Sequence, residues 1–330
     1  MAGRSPIISD GRISGIPVNL GGKTQFGQLL KMGPGFYELS LVLNVALTVG
    51  TAAGPITEGI LDLFSQIYIK TDLGEVVCDN VPAKSMFKVA NAKAMCVPLK
   101  QEVAAASATY QVEIPIYFVD YHTVRPEDTI LDTSRYSSVV FDLLTGTIAN
   151  LFTAPGTGTI VVTADIKITR SKGRWNSVDA PIVGVINYSG RNPVDASVST
   201  EIKLENANDL TLKRIYMNSV TSGVSGQPWK GTNSDAVISL INLKDSDGDW
   251  VKDTKWAQQQ ASNKRHYSLE NNISGVVVLD FVRDGSLKSG IYTGSTGELS
   301  LNWTNNGVPA ALSIVSVLVE SYKTPRLLAA

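Results

Sequence analysis

Leu39–Thr57 reads LSLVLNVALTVGTAAGPIT, nineteen residues without a charge between Glu38 and Glu58. By length alone it approaches the ~20 apolar residues of a membrane-spanning helix. Its period decides otherwise. Leu39, Leu41, Leu43, Val45, Leu47 and Val49 alternate with Ser40, Val42, Asn44, Ala46 and Thr48, and a period of two is a β-strand with one buried face. Gly50, Gly54 and Pro55 end it. The same alternation returns in YQVEIPIYFVD (110–120), TIVVTADIKIT (159–169), AVISLINL (236–243), GVVVLDFV (275–282), ELSLNW (298–303) and ALSIVSVLVESY (311–322). Turn clusters such as APGTG (154–158), DSDGD (245–249) and TNNG (304–307) separate these runs. Short strands with such turns predict an all-β sandwich or barrel.

At 330 residues the chain can bury a large core and suggests about two domains. Hydrophobic residues at 43% against 18% charged residues describe an ordered globular protein. Lys and Arg total 29, Asp and Glu 30, for a net charge of −1. Direct coating of nucleic acid, which needs a basic protein, is therefore not expected. The two cysteines, Cys78 and Cys96, allow one disulfide but do not imply it. The beginning, MAGRSPIISDGR, has no apolar core of a secretory signal, so none is expected.

The two halves repeat one another. FSQIYI (64–69) matches LKRIYM (212–217), IYFVDY (116–121) matches LDFVRD (279–284), and the strand ending at Lys172 matches the one ending at Lys323. The offsets cluster near ~150 residues, the size of one sandwich domain. The organisation expected is an arm over 1–35, a first sandwich over 36–172, a linker over 173–195, a second sandwich over 196–323, and a tail over 324–330. The linker carries the Gly- and Pro-rich SKGRWNSVDAPIVGVINYSGRNPVDA region. Short helices are expected over Pro82–Met95 and Pro126–Tyr136, each led by Pro as first helical residue.

Candidate chemistry is sparse. Gly21-Gly22-Lys23-Thr24 looks like the end of a phosphate loop, but Pro17 stands where its first Gly belongs, and Gly27, Gly33, Pro34 and Gly35 break any following helix. It reads as part of an irregular arm. His122 and His266 fall in different halves with no nucleophile elbow, so no catalytic triad is expected. Asp245, Asp247, Asp249 and Asp253 sit at positions 1, 3, 5 and 9 of a calcium loop. Trp250 replaces its turn Gly and Trp256 its closing Glu, so an acidic hairpin turn is the preferred reading. No cofactor and no enzyme activity are expected.

The order of elements carries a resemblance. ALTVGTAAGPITEGILDLFSQIYIKTDLGEVV (46–77) gives strand, turn, acidic lead-in, long strand, Gly turn and strand. IPIYFVDYHTVRPEDTILDTSRYSSVVFDLL (114–144) gives strand, Pro-Glu-Asp loop, helical turn and strand. This resembles the first jelly roll of viral major capsid proteins with two jelly rolls per chain, the adenovirus and tailless-phage lineage. It resembles most of all the lipid-containing phages, the Flavobacterium-infecting one among them. The resemblance covers 36–172 well and 196–323 mainly by strand order.

It implies a double jelly roll that assembles as homotrimers, pseudo-hexagonal tiles of an icosahedral shell around an internal membrane. The implied partners are neighbouring capsomers and penton or minor capsid proteins, and the implied location is the virion, after synthesis in the host cytoplasm. Both termini are then expected near the membrane, with Arg4, Arg12, Lys23, Lys31, Lys323 and Arg326 as a basic membrane-facing set. The alternative is a tandem carbohydrate-binding or adhesin-like module using Trp175, Trp229, Trp250 and Trp256 to stack on sugars.

Overall fold

The computed structural model describes residues 8–56, 59–86, 106–121, 125–172, 184–196, 199–204, 210–221, 232–248, 250–269, 272–307 and 313–323. The chain divides into two compact β units, with the boundary between Asn187 and Tyr188.

In the first unit the strands are β1 (Ile8–Pro17), β2 (Lys23–Gln25), β3 (Gly35–Thr48), β4 (Ala53–Pro55), β5 (Phe64–Thr71), β6 (Val76–Val81), β7 (Ala108–Tyr117), β8 (Leu131–Asp132), β9 (Val139–Thr145), β10 (Phe152–Ala154) and β11 (Thr159–Ser171). One sheet has the order β1-β11-β3-β7, with β8 beside β3, and another contains β6-β5-β9-β2. The opening stretch is β3. Leu39, Leu41, Leu43, Val45 and Leu47 are all buried, as are Val162, Ala164, Ile166 and Ile168 of β11 and Val112, Ile114 and Ile116 of β7. The second sheet buries Ile67, Ile69, Phe141 and Leu143. A short helix, α1 (Gly59–Asp62), leads into β5.

The expected irregular arm is not one from Ile8 onward. β1 runs antiparallel to β11 from Ile8↔Ser171 to Pro17↔Thr163, with a shift between Ile13 and Ile16. Gly15, at φ 72°, supplies the left-handed residue that such an irregularity favours. The glycines that suggested a loose segment instead let an edge strand bend. Over Pro126–Tyr136 the expected single helix is two 3₁₀ turns, Pro126–Thr129 and Thr133–Arg135, separated by β8. Ile130 and Leu131 are buried there. Pro126 is the first residue of its turn. Of the other expected helix, 83–86 are helical, and 87–95 lie outside the described residues.

The second unit contains most of β12 (Val185–Asp195), then β13 (Glu201–Lys203), β14 (Leu210–Thr221), β15 (Thr232–Asn233), β16 (Ile238–Lys244), β17 (Trp250–Lys255), β18 (Val276–Asp280), β19 (Ile291–Tyr292), β20 (Ser300–Asn305) and β21 (Ile314–Lys323). Its sheets are β15-β14-β21-β12, with β18 and β19 also on β14, and β13-β20-β16-β17. Their apolar faces share one core. Ile215, Met217, Val277, Leu279, Val315, Val317 and Val319 pack with Ile241, Leu243, Leu301 and Trp303. β12 corrects the linker expected over 173–195. Residues 173–183 lie outside the described residues, but Val185, Ile186 and Tyr188 are buried in a strand. The Gly and Pro around VINYS hid a run with strong β-propensity.

A helix that apolar periodicity did not reveal, α2 (Trp256–His266), follows β17. Its inward residues are Trp256, Gln259, Gln260 and Asn263, spaced i, i+3, i+4, i+7 but mostly amides. Gln259 and Asn263 donate to the carbonyl of Val278 at 2.5 and 2.8 Å, and Asn263 Oδ1 accepts from the Val278 N–H at 2.9 Å. The helix thus satisfies the edge of β18, which would otherwise be open to pairing with another chain.

Candidate functional site

The densest polar constellation lies inside the second unit. Leu212 pairs with Ser321 and Arg214 with Glu320, leaving Lys213 as an extra residue on β14. A regular strand would send Lys213 and Arg214 to opposite faces. The bulge lets both reach one carboxylate. Lys213 Nζ donates to Glu320 Oε1 at 3.1 Å, and Arg214 Nη1 donates to the same oxygen at 3.3 Å. Tyr216 donates to Glu320 Oε2 at 2.6 Å. Arg214 Nε and the Tyr267 hydroxyl both donate to Asp280 Oδ2, at 2.8 and 2.6 Å.

The side chains of Lys213, Arg214, Glu320 and Asp280 are wholly buried. Lys213 and Arg214 thus meet the carboxylates of Glu320 and Asp280. Burial holds the Tyr216 and Tyr267 phenols well above their ordinary range. Both phenols therefore stay protonated near neutral pH and serve as hydrogen-bond donors. The cluster ties β14, β21, β18 and α2 together. His266, at the end of α2, stands at its outer margin with Nε2 3.7 Å from Asp280 Oδ2 and its ring edge-on to Tyr267. The sequence carries a signal for this cluster. LTLKRIYM, VVVLDFV and VLVESY are apolar strands that each hold charge where a core should be.

The residues singled out by sequence are dispersed. Lys23 and Thr24 belong to β2, which pairs with β9 from Lys23↔Leu144. Lys23 Nζ bonds Asp142 at 2.9 Å, and Thr24 Oγ1 accepts from the Asn19 N–H. The Gly-Gly-Lys-Thr stretch is a turn entering a strand. Arg12 bonds Asp165 at 2.6 Å, and the Gly15 N–H donates to the same carboxylate at 2.8 Å. The Arg12 guanidinium, with this backbone donor, lowers the Asp165 pKa. Lys31 is exposed and Lys323 ends β21. Arg4, Arg326, His122, Cys96 and Asp249 lie outside the described residues, while Cys78 is a buried thiol whose pKa burial raises.

Asp245 and Asp247 sit in the turn between β16 and β17, where Asp245 Oδ1 accepts from the Asp247 N–H at 3.0 Å. Gly248, at φ 85°, makes the reversal. Asp253 is a strand residue whose carboxylate takes the Asn242 amide across the hairpin at 2.7 Å. Among the described residues, three or more His, Cys, Asp or Glu side chains nowhere converge as a metal site. Of the tryptophans considered for sugar stacking, Trp256 is buried and its indole donates to Asp235 at 3.0 Å, so it presents no stacking face, while Trp175 and Trp229 lie outside the described residues.

Known structures share this fold from end to end. The major capsid protein of Sulfolobus turreted icosahedral virus aligns at a TM-score of 0.70 and 15% identity over 97% of both chains. The major capsid protein of bacteriophage PM2 aligns at 0.59 and 12%, over 97% of this chain and 98% of its own. That of Faustovirus aligns at 0.59 and 8%, over 98% and 91%. No protein-family model and no curated protein sequence matches the chain. At these identities the likeness establishes architecture: the chain is a double jelly roll of the kind found in viral major capsid proteins.

Proposed function

We propose that this chain is a major capsid protein, a structural and non-enzymatic subunit of an icosahedral virion shell. One observation carries the reading: chains called major capsid proteins align with it over nearly their whole length and its own. A shell tile needs rigid walls. The internal charge clamp and the amide-capped strand edge are what such a wall requires if it is not to open during assembly.

The finer reading is a homotrimer whose six jelly rolls form a pseudo-hexagonal tile, meeting neighbouring capsomers and penton or minor proteins around an internal membrane, in a phage. Trimer interfaces of obligate size, on the order of 2,000 Å² or more, are expected. Arg12 and Lys23 are paired with Asp165 and Asp142 at the surface, with side chains 63% and 49% exposed, and contact with an anionic bilayer would draw on them together with Lys31, Lys323, Arg4 and Arg326. Light scattering coupled to size exclusion, followed by electron microscopy of the purified protein, tests the assembly. Trimers that tile into hexagonal arrays support it. A monomer that persists at high concentration removes the capsid reading.

A further inference from the structure

The first unit holds a cleft of about 630 Å³ whose lining includes Lys31, Thr133, Ser134, Tyr136, Arg170 and Lys172. Three of these are cations and none is an acid. Elsewhere in the unit, several cations have carboxylate partners: Arg12 with Asp165, Lys23 with Asp142, Lys84 with Asp62 and Lys167 with Glu113. Lys31, Arg170 and Lys172 have no ion pair among the described residues.

Arg170 is the informative member. Alternation along β11 places it on the side of Ala164, Ile166 and Ile168, all buried, at the end where the core gives out. Gly11, opposite Ile168 on β1, lies beside its guanidinium. A Cβ at residue 11 would meet the Arg170 guanidinium at 3.6 Å. Arg170 itself is only partly exposed. A partly buried guanidinium with no carboxylate partner among the described residues is one that a bound anion would stabilise.

We propose that this cleft binds a phosphate group, supplied either by a free phosphate compound or by the headgroup of an anionic lipid. Three cations around one opening suit a group whose several oxygens accept at once. The guanidinium fork can take two of those oxygens, and the two lysines add point charges. The cleft lies in the size range of small-molecule sites and exceeds a lone phosphate, so a phosphate carrying an organic group fits. The inference stands on the cleft and does not require the capsid reading.

Calorimetric titration of the full chain with inorganic phosphate and with glycerol phosphate, against chloride at matched ionic strength, tests it. Saturable binding is expected. Arg170→Gln should weaken it about tenfold or more, and a Lys31→Gln/Lys172→Gln double variant by a similar factor. Lys288→Gln, an exposed change in the second unit, should leave it intact. Flotation with phosphatidylglycerol and phosphatidylcholine vesicles separates the sources. Binding to the anionic vesicles that free phosphate competes away, and that Arg170→Gln loses, assigns a lipid headgroup. Phosphate binding without flotation assigns a soluble compound. No heat beyond the chloride control overturns the proposal, as does unchanged binding in the cleft variants. Both lysines are exposed, so the double variant carries the test should Arg170→Gln fail to fold.

Discussion

Glu320→Gln isolates the charge clamp of the second unit. Glu320 accepts from Lys213, Arg214 and Tyr216, and its side chain and those of both cations are completely buried. The substitution keeps the shape and removes the carboxylate charge that Lys213 and Arg214 share. Breaking a buried pair costs about 3–5 kcal/mol, and a carboxylate shared by two cations belongs at the upper end. The internal control is Glu298→Gln, whose partner Lys203 lies 3.0 Å away with side chains 49% and 68% exposed. An exposed pair of that kind, screened by solvent, contributes little. Lys213→Met in the Glu320→Gln background removes one of the two cations that lost their shared carboxylate, and should recover about half of the loss or more. Urea unfolding followed by tryptophan fluorescence reads the effect, because Trp256 and Trp303 lie in this unit's core. A Glu320→Gln cost no larger than that of Glu298→Gln refutes the reasoning, and so does a Lys213→Met change that deepens the loss.

Leu43→Ala, in the middle of β3 and fully buried, should cost about 2–5 kcal/mol in the same urea assay. Asn263→Ala strips the Val278 N–H of its acceptor and should cost about 1–3 kcal/mol, with added self-association in sedimentation as the β18 edge opens. Gly15→Ala meets no atom within 4 Å, so a melting-temperature loss there would report the φ of 72° alone, worth about 1–2 kcal/mol. Asp165 has a lowered folded-state pKa. Its contribution is present above the unfolded value of about 3.9 and disappears as pH falls through the lower folded value. Asp165→Asn should therefore flatten the acid limb of a stability–pH curve, and an unchanged limb would reject that assignment.

Alternation along β3, β7, β11 and β21 was legible because each buries one face, so side-chain period and strand geometry coincide. The Asp-Gly turn between β16 and β17 was legible for a similar reason, since its chemistry is local. α2 was not. Its inward face is built from Gln259, Gln260 and Asn263, which bond a strand edge instead of filling a core, and an apolar pattern cannot register that. β1 was missed because an edge strand that is half exposed and bent at Gly15 has the composition of a loop. The clamp depends on pairing distant segments: Lys213 and Glu320 are 107 residues apart, and only the register of β14 on β21 joins them. The cleft is harder still, since Lys31 and Arg170 become neighbours only through the sheet.

A net charge of −1 argued against wholesale phosphate neutralisation, and the structure explains why that number does not settle local binding. Several interior charges among the described residues are matched pair by pair. Lys213 and Arg214 meet Glu320 and Asp280, and Lys84 meets Asp62. At the sheet surfaces Arg12 meets Asp165 and Lys23 meets Asp142. Matched pairs cancel at short range and contribute little to the field beyond a Debye length, about 8 Å at physiological salt. The field a ligand meets is set by the cations left over, and in the cleft Lys31, Arg170 and Lys172 stand together without an acid among the lining residues. A chain neutral in sum can in this way hold one strongly positive recess. Its occupant would be selected by the geometry of Arg170 on the core side of β11, not by the overall charge.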